Sequence, residues 1–157
     1  MMYDFNADDI FEIALQLERN GAKFYRTAAE AVKDEPARKF LLELAAMEDD
    51  HEKTFARMRD QLQAQEKGST VFDPDGEAVH YLRALADTRV FFEKAINTAS
   101  MEEILKDAIT AEKDSIVFYL GMREAVPESL GRERLDAVIK EEMGHIRLLS
   151  KELVARR

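Results

Sequence analysis

One pattern of residues occurs twice in this chain with identical spacing, and it constrains the fold more than any other feature. Each copy reads Glu-x5-Phe-Tyr-x22-Glu-x2-His, and the two copies are displaced by 94 positions. The members are Glu18, Phe24, Tyr25, Glu48 and His51 in the first copy, and Glu112, Phe118, Tyr119, Glu142 and His145 in the second. An internal repeat indicates that one structural unit is used more than once. The chain is therefore predicted to contain two copies of one helical hairpin.

The composition favours helices over strands. The chain has 157 residues, which is room for one domain over residues 1–157. Its 6 Gly and 3 Pro are too few for the many turns of a β-sandwich or barrel. Four long helices are predicted, at about Ala7–Val32, Pro36–Gln65, 101–125 and Glu128–Val154, with a short helix at Glu77–Ala86. Candidate N-caps are Asn6, Asp34 and Ser100.

These helices predict a hairpin over residues 7–65, a crossover linker over 67–99 and a second hairpin over 101–154. The linker is too long for a tight hairpin loop. It could run the length of the bundle and give an up-down-down-up topology. An up-down-up-down arrangement with a decorated loop is the alternative, and both bring the same residues to one level.

Each long helix carries an apolar stripe of heptad type that is interrupted by polar residues at one level. Burying an unpaired carboxylate costs several kcal/mol. The same interruption in four helices therefore requires one shared explanation. The residues at these interruptions include Glu18, Glu48, His51, Glu112, Glu142 and His145.

The spacing places these polar residues at one height. Glu18 and Glu48 are equidistant from the first turn, and Glu112 and Glu142 are equidistant from Pro127 at the second. Each glutamate lies about 22 Å from its turn, near the middle of its helix. Each histidine follows its glutamate by three residues and shares its face. Four carboxylates and two imidazoles are therefore expected to meet inside the bundle.

Two divalent ions match this set of side chains. Four carboxylates carry a charge of −4, which two divalent cations cancel. Oxygen and imidazole ligands suit Fe, Mn or Zn, and the chain has no Cys to supply thiolate. Bridging carboxylates would hold the ions about 3.5–4 Å apart.

The six residues resemble the di-iron carboxylate motif of the ferritin-like superfamily. The Glu-x5-Phe-Tyr element and the chain length are most similar to the rubrerythrin group. This resemblance implies an all-α, ferritin-like antiparallel four-helix bundle, in which a long crossover joins two helical hairpins.

The resemblance also implies a role for each residue of the repeat. The terminal ligands would be Glu18 and Glu112, the bridging ligands Glu48 and Glu142, and the imidazole ligands His51 and His145, one for each iron. Tyr25 and Tyr119 match the tyrosines that form hydrogen bonds near the ligands in this family.

The implied activity is that of a non-haem di-iron oxidoreductase, oxidised by peroxide or O₂. Because the chain has no Cys, it lacks a rubredoxin-type iron site, and its electrons must come from an external donor protein. Rubrerythrins that reduce peroxide carry an extra Glu one turn after the third-helix ligand, where this chain has Ser115. We hypothesise that Gly21 and Ser115, which are equivalent in the repeat, leave room for a small oxidant.

Two other functions are compatible with the same residues. One is iron handling, as a ferroxidase or in a storage assembly. The other is a metal-free or zinc-held helical dimerisation module without redox turnover. A homodimer is expected, and exchange of hairpins between subunits is an open alternative.

The remaining sequence features narrow the choice of partners and location. A net charge of −9 argues against binding to nucleic-acid phosphates. No apolar run is long enough for a membrane span, and the absence of Cys suits a reducing cytoplasm. His80 lies outside the repeat and is interpreted as an ordinary residue. The methionines are interpreted as packing residues rather than cofactor ligands, namely Met47, Met58, Met122 and Met143.

Overall fold

A computed structural model of the chain describes residues 7–65, 77–88, 97–126 and 128–156. These residues form five α-helices and one short 3₁₀ turn, with no strand among them. The helices are α1 (Ala7–Ala31), α2 (Glu35–Gln65), α3 (Glu77–Thr88), α4 (Met101–Ala125) and α5 (Arg132–Ala155). The all-α class predicted from the sequence is confirmed. The predicted Asn6 cap, Pro127 and most of the crossover linker lie outside the described residues.

Two of the predicted N-caps are present. The Ala37 backbone N–H donates to Asp34 Oδ2 at 3.1 Å and ties down the start of α2. The Glu103 N–H donates to Ser100 Oγ at 3.2 Å at the start of α4. Each cap satisfies a backbone donor that has no partner within its helix.

The predicted start of the fourth long helix was wrong by four residues. The helix begins at Arg132, and Glu128–Leu130 form a 3₁₀ turn instead. The break falls at Gly131, whose φ of +100° lies in the left-handed region that only glycine adopts readily. The other ends differ less, since α1 stops at Ala31 and α3 extends to Thr88.

The direction of the helices follows from two apolar clusters at opposite ends of the bundle. One cluster contains Phe11 from the start of α1, Leu62 from the end of α2 and Met122 from the end of α4. The other contains Ala28 from the end of α1 and Leu105 from the start of α4. The chain therefore passes from one end of the bundle to the other between α2 and α4. This is the up-down-down-up topology.

The two clusters leave a layer between them at mid-height, and the residues of the repeat lie there. Helix α1 packs closely along α2, and α4 along α5, which are the two predicted hairpins. Helices α2 and α5 approach each other at few points, so the bundle is most open along that side. No described helix combines the length and apolarity that crossing a bilayer requires.

Helix α3 packs on the outer side of α4 at Gly121. A Cβ added there would lie 2.6 Å from two ring carbons of Tyr81 and 3.0 Å from Leu82 Cδ2. Leu82 is fully buried, and the Tyr81 hydroxyl donates to the Val117 carbonyl at 3.3 Å. The absence of a side chain at Gly121 is thus what allows α3 to approach.

Gly121→Ala is expected to lower the free energy of unfolding by about 1 kcal/mol, because overpacking outweighs the gain in helix propensity. Gly144→Ala is the matched control, since a Cβ on Gly144 would meet nothing within 4 Å. That variant should gain up to about 1 kcal/mol. Urea unfolding of both variants checks the prediction, and equal effects of the two substitutions would contradict it.

Candidate metal centre

The six polar residues predicted to meet inside the bundle do so. None of the six residues is more than 4% exposed. They come from the middles of four helices: Glu18 from α1, Glu48 and His51 from α2, Glu112 from α4, and Glu142 and His145 from α5. The equal distances from the turns, together with the 3.6-residue period, explain why they share one height and face inward.

The six side chains form two overlapping groups. One group comprises Glu18, Glu48, His51 and Glu142, and the other comprises Glu48, Glu112, Glu142 and His145. Within each group, one potential ligand atom per residue lies within 4.8 Å of all the others. Glu48 and Glu142 belong to both groups, while each group has its own histidine and its own third glutamate. This arrangement is compatible with a two-metal site in which two carboxylates are shared.

Both imidazoles turn the same ring nitrogen toward the carboxylates. His51 Nδ1 lies 3.0 Å from Glu142 Oε1 and 3.5 Å from Glu18 Oε2. His145 Nδ1 lies 3.1 Å from Glu142 Oε2 and 3.3 Å from Glu112 Oε1. The two rings stack with centroids 5.7 Å apart. Both Nε2 atoms therefore point away from the centre of the cluster.

The tyrosines of the repeat connect the two hairpins. The Tyr25 hydroxyl donates to Glu112 Oε1 at 2.6 Å, and the Tyr119 hydroxyl donates to Glu18 Oε1 at 2.6 Å. Each tyrosine thus reaches the glutamate of the other repeat, because α1 and α4 are antiparallel neighbours. The two bonds orient the outer glutamates, and Glu112 Oε1 also lies 3.3 Å from His145 Nδ1.

Mutual repulsion and burial disfavour the ionised form of the carboxyl groups. Burial raises the pKa of Glu48 well above its ordinary value, and the charges of Glu18, Glu112 and Glu142 raise it further. Burial and the charge of Glu142 likewise raise the pKa of Glu112 to about 7. Like charges this close are stable only when cations or protons offset them.

The imidazoles respond in the opposite sense. Burial lowers the pKa of His51, but the hydrogen bond to Glu142 and the nearby charges of Glu142 and Glu18 outweigh it and raise the pKa to about 11. In the same way, burial lowers the pKa of His145, whereas Glu112 and Glu142 raise it to about 9. The cluster thus attracts positive charge strongly, and divalent cations would displace the imidazole protons.

Two oxygen atoms of the cluster show that the side chains alone do not satisfy one another. Glu18 Oε2 and Glu142 Oε2 are buried and lie 3.5 Å and 3.1 Å from the Nδ1 atoms of His51 and His145, but neither contact has the geometry of a hydrogen bond. A buried acceptor without a partner loses its hydration without compensation. Because both atoms face the cluster, a coordinated cation would supply the missing interaction. The donor set, its charge and these two atoms all fit a pair of divalent ions.

Gly21 has a different role from the one hypothesised. A Cβ at Gly21 would lie 3.3 Å from both Cδ and Oε1 of Glu48, so the carboxylate occupies the space that glycine leaves. The Ser115 hydroxyl donates to the Ala111 carbonyl at 3.1 Å within α4. Gly21 therefore admits a shared carboxylate rather than an oxidant.

An open cleft of about 700 Å³ between α2 and α5 leads to the cluster, and its lining includes Asp50, Leu148 and His145. Two further lining residues, Met47 and Glu141, contact the outward Nε2 atoms of the histidines. The interpretation of the methionines as packing residues is confirmed for Met58 and Met122, which are fully buried. It was wrong for Met143, which is exposed, and for Met47, which is 41% exposed and whose sulfur contacts His145. The sequence analysis assigned no role to Glu141, although Met47 and Glu141 stand at equivalent positions of the repeat. His80 lies exposed on α3, away from the cluster.

Comparisons with known proteins agree with this geometry. The model of the family named Rubrerythrin matches residues 9–153. A protein from Thermotoga maritima, whose crystal structure is assigned to the ferritin-like diiron-carboxylate class, has 26% sequence identity to this chain. Its TM-score is 0.69, and the alignment covers 100% of both chains. A search of curated proteins finds no match.

Gly21→Ala is expected to separate stability from metal binding. The substitution should raise the free energy of unfolding of the metal-free protein by up to about 1 kcal/mol, because alanine is the better helix former. Divalent metal affinity should fall, because the new Cβ displaces the Glu48 carboxylate. Urea unfolding and Mn²⁺ titration check both parts, with Gly144→Ala as the control that should keep its affinity. Unchanged affinity in Gly21→Ala would contradict the role given to Gly21.

The double variant Glu48→Leu/Glu142→Leu tests the shared carboxylates. In chelator it should still fold, because the two leucines remove repulsion between buried carboxyl groups, although both imidazoles lose Glu142 as a partner. Added Mn²⁺ should stabilise the wild type, by about 2.7 kcal/mol at a hundredfold excess over Kd, and leave the double variant unchanged. Thermal unfolding with and without Mn²⁺ measures both effects. Glu43→Gln, an exposed change on the same helix, should behave as wild type. Equal metal stabilisation of all three proteins would rule out this site.

Proposed function

This chain belongs to the rubrerythrin family, and we propose that it is a di-iron oxidoreductase whose reduced centre is oxidised by peroxide or O₂. An external electron donor protein then returns the centre to the reduced state. The family and the buried carboxylate–histidine cluster suggest a di-iron protein. The redox activity, the identity of the metal and the donor are the proposed parts.

One observation carries the proposal, namely that the two groups of ligand atoms share Glu48 and Glu142. Carboxylates shared in this way would hold two cations about 3.5–4 Å apart, close enough to act on one small molecule. A structural module has no need of this arrangement, because one ion or an apolar layer would hold the helices together. Ligands that are all oxygen or imidazole suit iron and leave manganese and zinc as outcomes of the test.

Iron bound in this cluster would supply paired one-electron oxidation and reduction. The side chains of the chain contribute position and environment. Tyr25 and Tyr119 hold Glu112 and Glu18 in place through hydrogen bonds of 2.6 Å. The apolar clusters above and below the polar layer exclude bulk water from the bundle axis. The open side between α2 and α5 admits a molecule as small as peroxide or O₂.

Ser115 bears on the choice of oxidant. Its hydroxyl is bonded within α4 and offers no carboxylate one turn after Glu112. A ligand exchange that needs an extra glutamate at that place is therefore not available at Ser115. We propose that the same six side chains hold the metals in both oxidation states.

The decisive experiment loads the protein with Fe²⁺ without oxygen and then adds peroxide or O₂. Two iron ions per chain are expected, with oxidation followed by absorbance and Fe counted in the same sample. The double variant Glu48→Leu/Glu142→Leu should neither bind two iron ions nor show oxidation. The wild type should also bind zinc, but the zinc-loaded protein should not react with peroxide or O₂. Binding of two ions with no oxidation by either oxidant would favour the structural module.

The homodimer expected from the sequence and a cytoplasmic location both stay predictions. Size-exclusion chromatography of the iron-loaded protein separates a dimer from a storage shell. A very large particle would favour iron storage over an oxidoreductase that uses an external electron donor.

A further inference from the structure

The two halves of the centre have equivalent ligand side chains, but the residues that contact those ligands from outside differ. The two histidines are equivalent in the repeat and turn Nδ1 toward the shared carboxylates. Their outward Nε2 atoms meet different groups. His51 Nε2 is in hydrogen-bonding contact with the Glu141 carboxylate, whereas His145 Nε2 lies 3.1 Å from Met47 Sδ.

These two outer partners are themselves equivalent positions of the repeat. Met47 directly precedes Glu48, and Glu141 directly precedes Glu142. Each reaches the histidine of the opposite hairpin across the cleft between α2 and α5. The same backbone position therefore carries an anion beside one imidazole and a neutral thioether beside the other.

The difference matters because an outer partner tunes a metal-bound histidine. A carboxylate that accepts the free N–H raises the basicity of the coordinating nitrogen, and losing such a partner typically weakens metal binding about 10–100-fold. A thioether sulfur is only a weak acceptor. Glu141 also adds negative charge beside His51, where Met47 adds none beside His145, although solvent screens part of that charge because the Glu141 side chain is 62% exposed.

We propose, on the basis of the di-metal function above, that Glu141 and Met47 are positioning residues that make the two metal positions unequal. The position at His51 binds its ion more tightly and fills first. The position at His145, which lines the cleft, holds the more weakly bound ion and is the one at which ions enter and leave.

The test is an anaerobic titration with Co²⁺ of protein from which a chelator has removed all metal. Binding is measured by calorimetry and by the visible absorption of the bound ion. Repulsion between the two ions also separates their affinities, so variants rather than the wild type alone carry the comparison. Glu141→Met should weaken the first ion about 10–100-fold, and Met47→Glu should strengthen the second by a similar factor. Both substitutions should reduce the difference between the affinities of the first and the second ion, Glu141→Met by weakening the first and Met47→Glu by strengthening the second. In both variants the absorption bands of the two ions should become more alike.

Four further variants separate this role from a general effect on folding or charge. Glu133→Gln removes the same charge from the exposed start of α5 and should leave both affinities unchanged. Met47→Leu keeps the side chain neutral and of similar size, so it separates the effect of losing the sulfur contact from the effect of the charge added in Met47→Glu. His145→Ala should still bind the first Co²⁺ ion tightly, and His51→Ala should lose this high-affinity binding.

Unchanged affinities in both Glu141→Met and Met47→Glu, with two ions still bound, would overturn the inference and leave the di-metal function standing. Retention of the high-affinity binding in His51→Ala would overturn it as well. Failure of the wild type to bind Co²⁺ at all would instead remove the proposed function, and the inference with it.

Discussion

The burial of four carboxylates at one level of an apolar bundle is the constraint on which the rest of this structure depends. Such a layer opposes folding unless positive charge offsets it. The two imidazoles answer part of that need, as the raised pKa values of His51 and His145 indicate. Two carboxylate oxygens still accept no hydrogen bond from the described residues. The apolar clusters at both ends of the bundle must stabilise the fold against this layer.

The antiparallel placement of α1 and α4 turns a sequence repeat into one centre. It brings each repeated tyrosine to the glutamate of the other copy, so each hairpin orients a ligand belonging to its partner hairpin. The same crossing brings Glu141 and Met47 to the histidines opposite them. Neither hairpin alone contains a complete group of ligand atoms, because both groups draw on Glu48 and Glu142. The centre is therefore complete only when the two hairpins pack together.

Much of this could be predicted from the sequence because it depends on spacing along single helices. The equal distances of Glu18 and Glu48 from their turn determine their common height, and the three-residue step to His51 determines its face. The Asp34 and Ser100 caps follow from local chemistry that needs no tertiary information.

What the sequence analysis missed depends on contacts between hairpins or on local backbone conformation. Helix α5 starts late because Gly131 takes a left-handed conformation, which helical periodicity does not reveal. The space at Gly21 is taken by Glu48 from the neighbouring helix, a fact that composition cannot supply. Met47 looks like a packing residue on its own helix, and only the opposite hairpin gives its sulfur a histidine to contact.

The central claim is that two metal ions lie between the shared carboxylates. A crystal structure of the iron-loaded protein, with anomalous scattering measured at the iron edge, tests it most directly. The account predicts two anomalous peaks about 3.5–4 Å apart, each beside one histidine and both beside Glu48 and Glu142. A single peak, or iron bound only at the surface, would contradict it.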